Sequence, residues 1–145
     1  MRRITATLAL SALLFAACGG DATGGSTTTL VTGSSGTLHV SGGFDPIDET
    51  WVLAADGTVL GPGEYLGAIT PDDRARLEAA IDAAGFFELD SEYLPDDQCC
   101  DRRLYELTLT RGGVTHSVTT LDGAAAPESL FLLINTFLEV VRPEE

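Results

Sequence analysis

Apolar residues recur along the chain with two periods, and the change from one to the other separates strands from helices. Leu38 to Val40 and Thr50 to Ala54 read as strands, and Asp56-Gly57 between apolar runs marks a hairpin turn into Thr58-Val59-Leu60. These three strands form an opening meander. Thr70-Pro71-Asp72-Asp73 supplies an N-cap, a proline at the first helical position and an acidic third position, so a helix is predicted over Pro71 to Ala84. Its apolar stripe is Leu77, Ile81 and Ala84. Gly85 follows where a left-handed residue closes a helix, with Phe86 placed to contact Ile81.

A second hairpin is better determined. Arg111-Gly112-Gly113-Val114 supplies a two-residue turn, which fixes the register so that residue numbers across the pair sum to 225. Leu109 then faces His116, Leu107 faces Val118 and Tyr105 faces Thr120 on a core side. Thr110 with Thr115, Thr108 with Ser117 and Glu106 with Thr119 form the solvent side. Pro127 opens a last helix whose Leu130, Leu133, Ile134, Phe137, Leu138 and Val141 recur at helical spacing, and Pro143 ends it. Phe131 and Leu132 widen its apolar arc. The order β-β-β-α-β-β-α is an α+β pattern, expected as an antiparallel sheet of about five strands covered by two helices.

The N-terminal residues do not belong to that pattern. Met1-Arg2-Arg3 is a basic start, Ile4 to Ala17 is apolar and small, and Cys18 follows, so residues 1–17 read as a secretory signal. That apolar run is shorter than the ~20 residues a membrane-spanning helix needs. Leu14-Phe15-Ala16-Ala17-Cys18-Gly19-Gly20 resembles a bacterial lipoprotein lipobox, with Phe15 where Leu is usual, which makes Cys18 the acylated first residue of the mature chain. From Gly19 to Gly36, 14 of 18 residues are Gly, Ser or Thr, the composition of a flexible tether. Its r.m.s. reach is about 23 Å. The expected division is therefore a signal at 1–17, lipidated Cys18 and tether at 18–36, and one domain at 37–145. The implied location is the cell envelope. Gly19 and Gly20 lack the retention Asp that lipoproteins of this resemblance carry at the second position, which favours an outer membrane where the source has one.

Charge narrows the partners. The chain of 145 residues carries 22 Asp and Glu against 8 basic residues, all Arg, for a formal charge of −14. Loss of Arg2 and Arg3 with the signal leaves 6 basic residues against 22 acidic, or −16. No basic footprint for nucleic-acid phosphates or anionic lipid exists, so the only membrane contact expected is the Cys18 lipid. The absence of Lys removes P-loop, Schiff-base and kinase lysines together.

The remaining chemistry is sparse. His116 falls on the core face beside Leu109 and reads as a satisfied core histidine, whereas His39 alternates with Leu38 and Val40 and faces the other way. Neither a HExxH spacing nor a calcium loop is present, and Gly61 to Gly67 misses the dinucleotide GxGxxG spacing and reads as a loop. Carboxylates at Asp45, Asp48, Glu49 and at Asp96, Asp97, Asp101 read as solvated loops. The expectation is no catalytic residue, no metal and no cofactor. Cys99-Cys100, left together once Cys18 is acylated, are expected as a vicinal disulfide despite a Cα separation of about 3.8 Å, with intermolecular bridging and soft-metal binding by the thiolates as the alternatives. Gly42, Gly43 and Phe44 are the candidate partner-binding loop, two glycines for close backbone approach and one apolar anchor; the alternative is a turn with a core Phe.

Taken in succession, Ser41-Gly42-Gly43-Phe44, Arg74-Ala75-Arg76-Leu77-Glu78, Gly85-Phe86-Phe87-Glu88-Leu89, and Leu104-Tyr105 through His116-Ser117-Val118 resemble the emfourin family over Thr37 to Val141. Characterised members of that family are small protein inhibitors of thermolysin-like zinc metalloproteases such as protealysin. The resemblance implies a non-enzymatic binding domain with such a protease as partner. The lipoprotein signal and tether, the longer Asp56 to Ile69 region and the Cys99-Cys100 loop depart from the family pattern. The competing reading is an envelope lipoprotein with a structural or interaction role unrelated to proteases. Nothing in the sequence specifies an oligomeric state.

Overall fold

In a computed structural model, residues 33–99 and 101–142 are described. Seven strands, β1 (Ser35–Gly42), β2 (Ile47–Leu53), β3 (Thr58–Gly61), β4 (Glu64–Ala68), β5 (Glu92–Tyr93), β6 (Arg103–Arg111) and β7 (Val114–Leu121), accompany two helices, α1 (Pro71–Ala84) and α2 (Glu128–Val141). The strands form a single sheet in the order β4-β3-β2-β1-β6-β7-β5. Every pairing is antiparallel except β5 with β7. The fold is α+β, as the periodicity predicts, but the sheet is mixed and has seven strands where about five antiparallel ones are expected.

Both added strands have identifiable causes. β4 occupies the Gly61 to Gly67 stretch expected as a loop: Pro62-Gly63 makes a tight turn, with Gly63 at φ 85°, and folds Glu64–Ala68 back onto β3. β5 has two residues, too few for any alternation to register. It is held by the Thr119 N–H donating to the Ser91 carbonyl at 2.9 Å and by the Thr120 hydroxyl donating to the Tyr93 carbonyl at 3.3 Å.

The elements that the pattern predicts form for the predicted reasons. Thr70 Oγ1 accepts the Asp73 N–H at 3.1 Å, and Gly85 closes α1 in the left-handed region with its N–H on the Asp82 carbonyl. The β6–β7 register sums to 225 at every pair. Leu77, Ile81 and Ala84 of α1 and Leu130, Leu133, Ile134 and Phe137 of α2 pack against Leu38, Val40, Leu107, Leu109 and Val118 on one sheet face. Leu138 is only partly buried and Val140 takes the inner position, while Leu132 stays exposed.

The N-terminal boundary lies earlier than residue 37. Ser34 is 1% exposed. Its N–H and hydroxyl donate to the two oxygens of the Glu78 carboxylate at 2.6 and 2.8 Å, Arg111 Nε donates to its Oγ at 2.9 Å, and Arg74 donates to its carbonyl at 2.8 Å. Arg111 also pairs with Asp82. A Gly/Ser-rich composition resembles a tether, but here its last residues are sealed by charged groups of α1 and β6 that lie far along the chain. Residues 1–32, including the predicted signal, Cys18 and most of the tether, lie outside the described residues.

Gly36 lets β6 approach: a Cβ there would sit 2.4 Å from Leu109 Cδ2 and 2.5 Å from the Thr108 carbonyl oxygen. Since one of those atoms is backbone in the middle of the sheet, Gly36→Ala is expected to lower unfolding free energy by about 1–3 kcal/mol in a urea titration.

Candidate functional site

The helices cover one face of the sheet, so the surfaces open to a partner are the strand turns and the opposite face. At one end of β1 the chain turns through Gly42 and Gly43, at φ 83° and 93°. Both angles suit glycine alone. The Gly43 N–H donates to the Arg102 carbonyl at 3.0 Å, and a Cβ on Gly42 would lie 2.7 Å from that same oxygen. The turn is thereby braced against the start of β6, where Arg103 N–H donates to Asp122 Oδ2 at 3.2 Å. Phe44 projects from it, 87% exposed. A core Phe is thus excluded, and the predicted loop Gly42, Gly43, Phe44 is a surface hairpin tip carrying an uncovered aromatic ring.

On the open sheet face, cross-strand pairing aligns Tyr65, Leu60, Val52, Thr37, Thr108 and Ser117 in one row. Its far half is hydroxyl-rich, with Thr108 and Ser117 hydrogen-bonded at 2.8 Å and Thr110 and Thr115 likewise. The next row holds Thr50, His39, Glu106 and Thr119. His39 sits between two carboxylates, Nδ1 against Glu106 at 2.7 Å and Nε2 against Asp48 at 2.8 Å. These bonds, that to Glu106 first and that to Asp48 next, raise its pKa above 6.5.

This cluster escapes sequence reading because no local rule pairs β1 with β6. His39 faces away from Leu38 and Val40 as expected, but Glu106 becomes its neighbour only through a register 67 residues apart. The acidic group Asp45, Asp48, Glu49 is not a solvated loop throughout. Asp48 and Glu49 lie on β2, whose alternation sends Asp48 to His39, while Glu49 meets Arg142 at 3.5 Å. Asp97 accepts the Cys99 N–H at 2.9 Å, and Asp101 adopts a positive φ of 60°.

His116 lies on the core face, edge-on to Phe86 at 5.4 Å between ring centroids. Its Nε2 is buried without a hydrogen-bond partner among the described residues, while the residue as a whole is only partly buried at the edge of the core. It cannot meet His39, which occupies the other face. Cys99 is disulfide-bonded; Cys100 lies outside the described residues. Among the described residues, no group of three His, Cys, Asp or Glu side chains is arranged to hold a metal ion.

The Emfourin family model matches residues 65–138, from β4 through α1, β5, β6 and β7 into α2. The chain belongs to the Emfourin family. The matched part therefore supplies both helices and the β6–β7 hairpin. The Phe44 tip, on the β1–β2 hairpin, lies outside the matched residues and against the Arg102 end of the Emfourin part. No curated protein matches the chain.

The His39 cluster makes stability depend on pH. Because its folded pKa lies above the unfolded value near 6.5, the stabilisation is full below pH 6.5 and is lost as pH rises through the folded pKa. Urea unfolding between pH 5 and about pH 9 should show this decline. His39→Gln should remove that component of the profile and leave any other slope in place.

Proposed function

We propose that this Emfourin-family protein is a lipid-anchored, non-enzymatic inhibitor of a thermolysin-like zinc metalloprotease, and that the β1–β2 hairpin tip is the part that meets the enzyme. The observation that carries the reading is Phe44, an aromatic ring 87% exposed on a turn fixed by two glycines of positive φ. Interface hot spots are of this kind: a large apolar side chain with few internal degrees of freedom, entering a pocket on the partner. A rigid presenting turn limits the ordering cost on binding. Inhibition by occupancy of the cleft needs no reacting group on the inhibitor.

Membrane attachment enters through Cys18 and its tether. The chain joins the sheet at the Ser35 end of β1, and the tip lies past the Gly42 end. Seven residue steps of β-strand put about 24 Å between those ends. A flexible tether from a lipid at Cys18 therefore attaches at the end of β1 opposite the tip and leaves Phe44 free to meet a protease of the envelope or outside it. Among the described residues no helix is long and apolar enough to cross a membrane.

Two measurements test these parts separately. Residues 19–145, which hold every element of the fold, should slow peptide hydrolysis by a thermolysin-like enzyme at micromolar concentration, and Phe44→Ala should weaken that effect by about tenfold or more without changing the melting temperature. Unchanged hydrolysis rates at those concentrations would remove the inhibitor reading. For the anchor, Cys18→Ser in the full chain should shift the protein from the membrane to the soluble fraction. Persistence on membranes after that substitution would require a second attachment.

A further inference from the structure

We propose that the open sheet face at β2, β3 and β4 is a second docking surface, which takes a basic, partly apolar segment of a protein partner. Apolar side chains reach solvent on this face. Val52, Leu60 and Tyr65 are successive cross-strand neighbours, and Leu60 and Tyr65 are 43% and 67% exposed. They line a groove of about 600 Å³ that no helix covers. Isolated exposed apolar residues are ordinary, but an aligned row in a groove is what a recognition surface has.

Charge selects the occupant. The groove is lined by two carboxylates, Asp48 and Glu64, and by no basic side chain. Glu106 adds a third nearby through His39, so Asp48, His39 and Glu106 together keep a net negative charge even with the imidazole protonated. The six described arginines are engaged elsewhere: Arg74 on the Ser34 carbonyl, Arg76 on Asp73 and Glu139, Arg102 on the Asp97 carbonyl, Arg103 on Tyr105, Arg111 on Glu78 and Asp82, and Arg142 on Glu49. A second copy of this chain would bring the same carboxylates and be repelled. An Arg or Lys beside an apolar residue satisfies both halves of the groove, the cation at Asp48 and Glu64 and the apolar group on Leu60 and Tyr65. This surface is distinct from the Phe44 tip, and the proposal does not depend on protease inhibition.

The experiment uses residues 19–145 and two labelled probes, a short peptide alternating Arg and Leu and its counterpart with Glu in place of Arg. The Arg probe should bind in a fluorescence anisotropy titration, with amide shifts centred on Val52, Leu60 and Tyr65, and the Glu probe should not bind. Tyr65→Ser, or Asp48→Asn with Glu64→Gln, should weaken binding about tenfold or more. Removing two carboxylates elsewhere, by Glu88→Gln with Asp90→Asn, should leave it nearly unchanged, as should Phe44→Ala. Equal binding of both probes, no binding, shifts spread over the whole surface, or equal loss in the Glu88/Asp90 variant would each overturn the proposal. Loss on Phe44→Ala alone would instead assign the peptide to the tip and likewise overturn it.

Discussion

The pairing of β1 with β6 is the constraint on which the rest of this structure depends. β1 is the fourth of seven strands across the sheet, although it is the first in sequence, so both of its edges must be filled. β2 fills one by a local hairpin. The other waits for β6, more than sixty residues later, and Leu38↔Leu107 and Val40↔Tyr105 are the inward pairs that fix its register. Leu38, Val40 and Leu107 are buried, and each contributes roughly 1.5–3 kcal/mol by leaving water. Sealing both ends of β1 follows from its place: Ser34 is tied to Glu78, Arg74 and Arg111 at the entry, and Gly43 to Arg102 at the exit. A slip of one residue would turn His39 into the core and Leu38 onto the open face.

The same register explains why one face is available for binding. Each 14-residue helix is about 21 Å long, and two side by side span about 20 Å, against about 29 Å between the outermost of seven strands. The two described helices thus cover most of one face and leave none for the other. On the covered side Leu, Val and Phe dominate. The open side must be tolerated by water, and its Thr and Ser pairs on β6 and β7 do this with hydroxyls that bond one another. The departure from that rule is the Val52, Leu60, Tyr65 row, which is where the sheet offers apolar surface without a cover.

What was legible in the sequence was what local chemistry determines. Thr70, Pro71 and Gly85 specify α1 within a few residues, and Gly112-Gly113 sets the β6–β7 register outright, so Leu109 opposite His116 is read correctly. What was not legible needed long-range information. Ser34 looks like linker because its partners Glu78 and Arg111 are 44 and 77 residues away. β5 exists only because β7 offers an edge. The Pro62-Gly63 turn is a local signal, but the strand after it forms only because the edge of β3 is open to pair with it. The His39 cluster required the β1–β6 register, and its two carboxylates come from strands on either side. Phe44 is legible as a candidate, but a surface ring and a core Phe are told apart only by its exposure on the turn made by Gly42 and Gly43.

Rigidity and charge then divide the work of recognition in the proposed reading. A flexible loop carrying Phe44 would lose backbone entropy of about 1–2 kcal/mol per residue ordered on binding. The glycine pair, held by the Arg102 carbonyl, has met that cost during folding, because the turn is a continuation of the central strand. The strongly acidic remainder of the domain cannot supply comparable affinity, since exposed charges are screened over about 10 Å at ordinary ionic strength. Its effect lies in approach: a net charge of −14 on the whole chain accelerates encounter with cationic surfaces and slows it with anionic ones. Specificity among proteases would thus come from the shape of the pocket that accepts Phe44, and the rate of finding them from their charge.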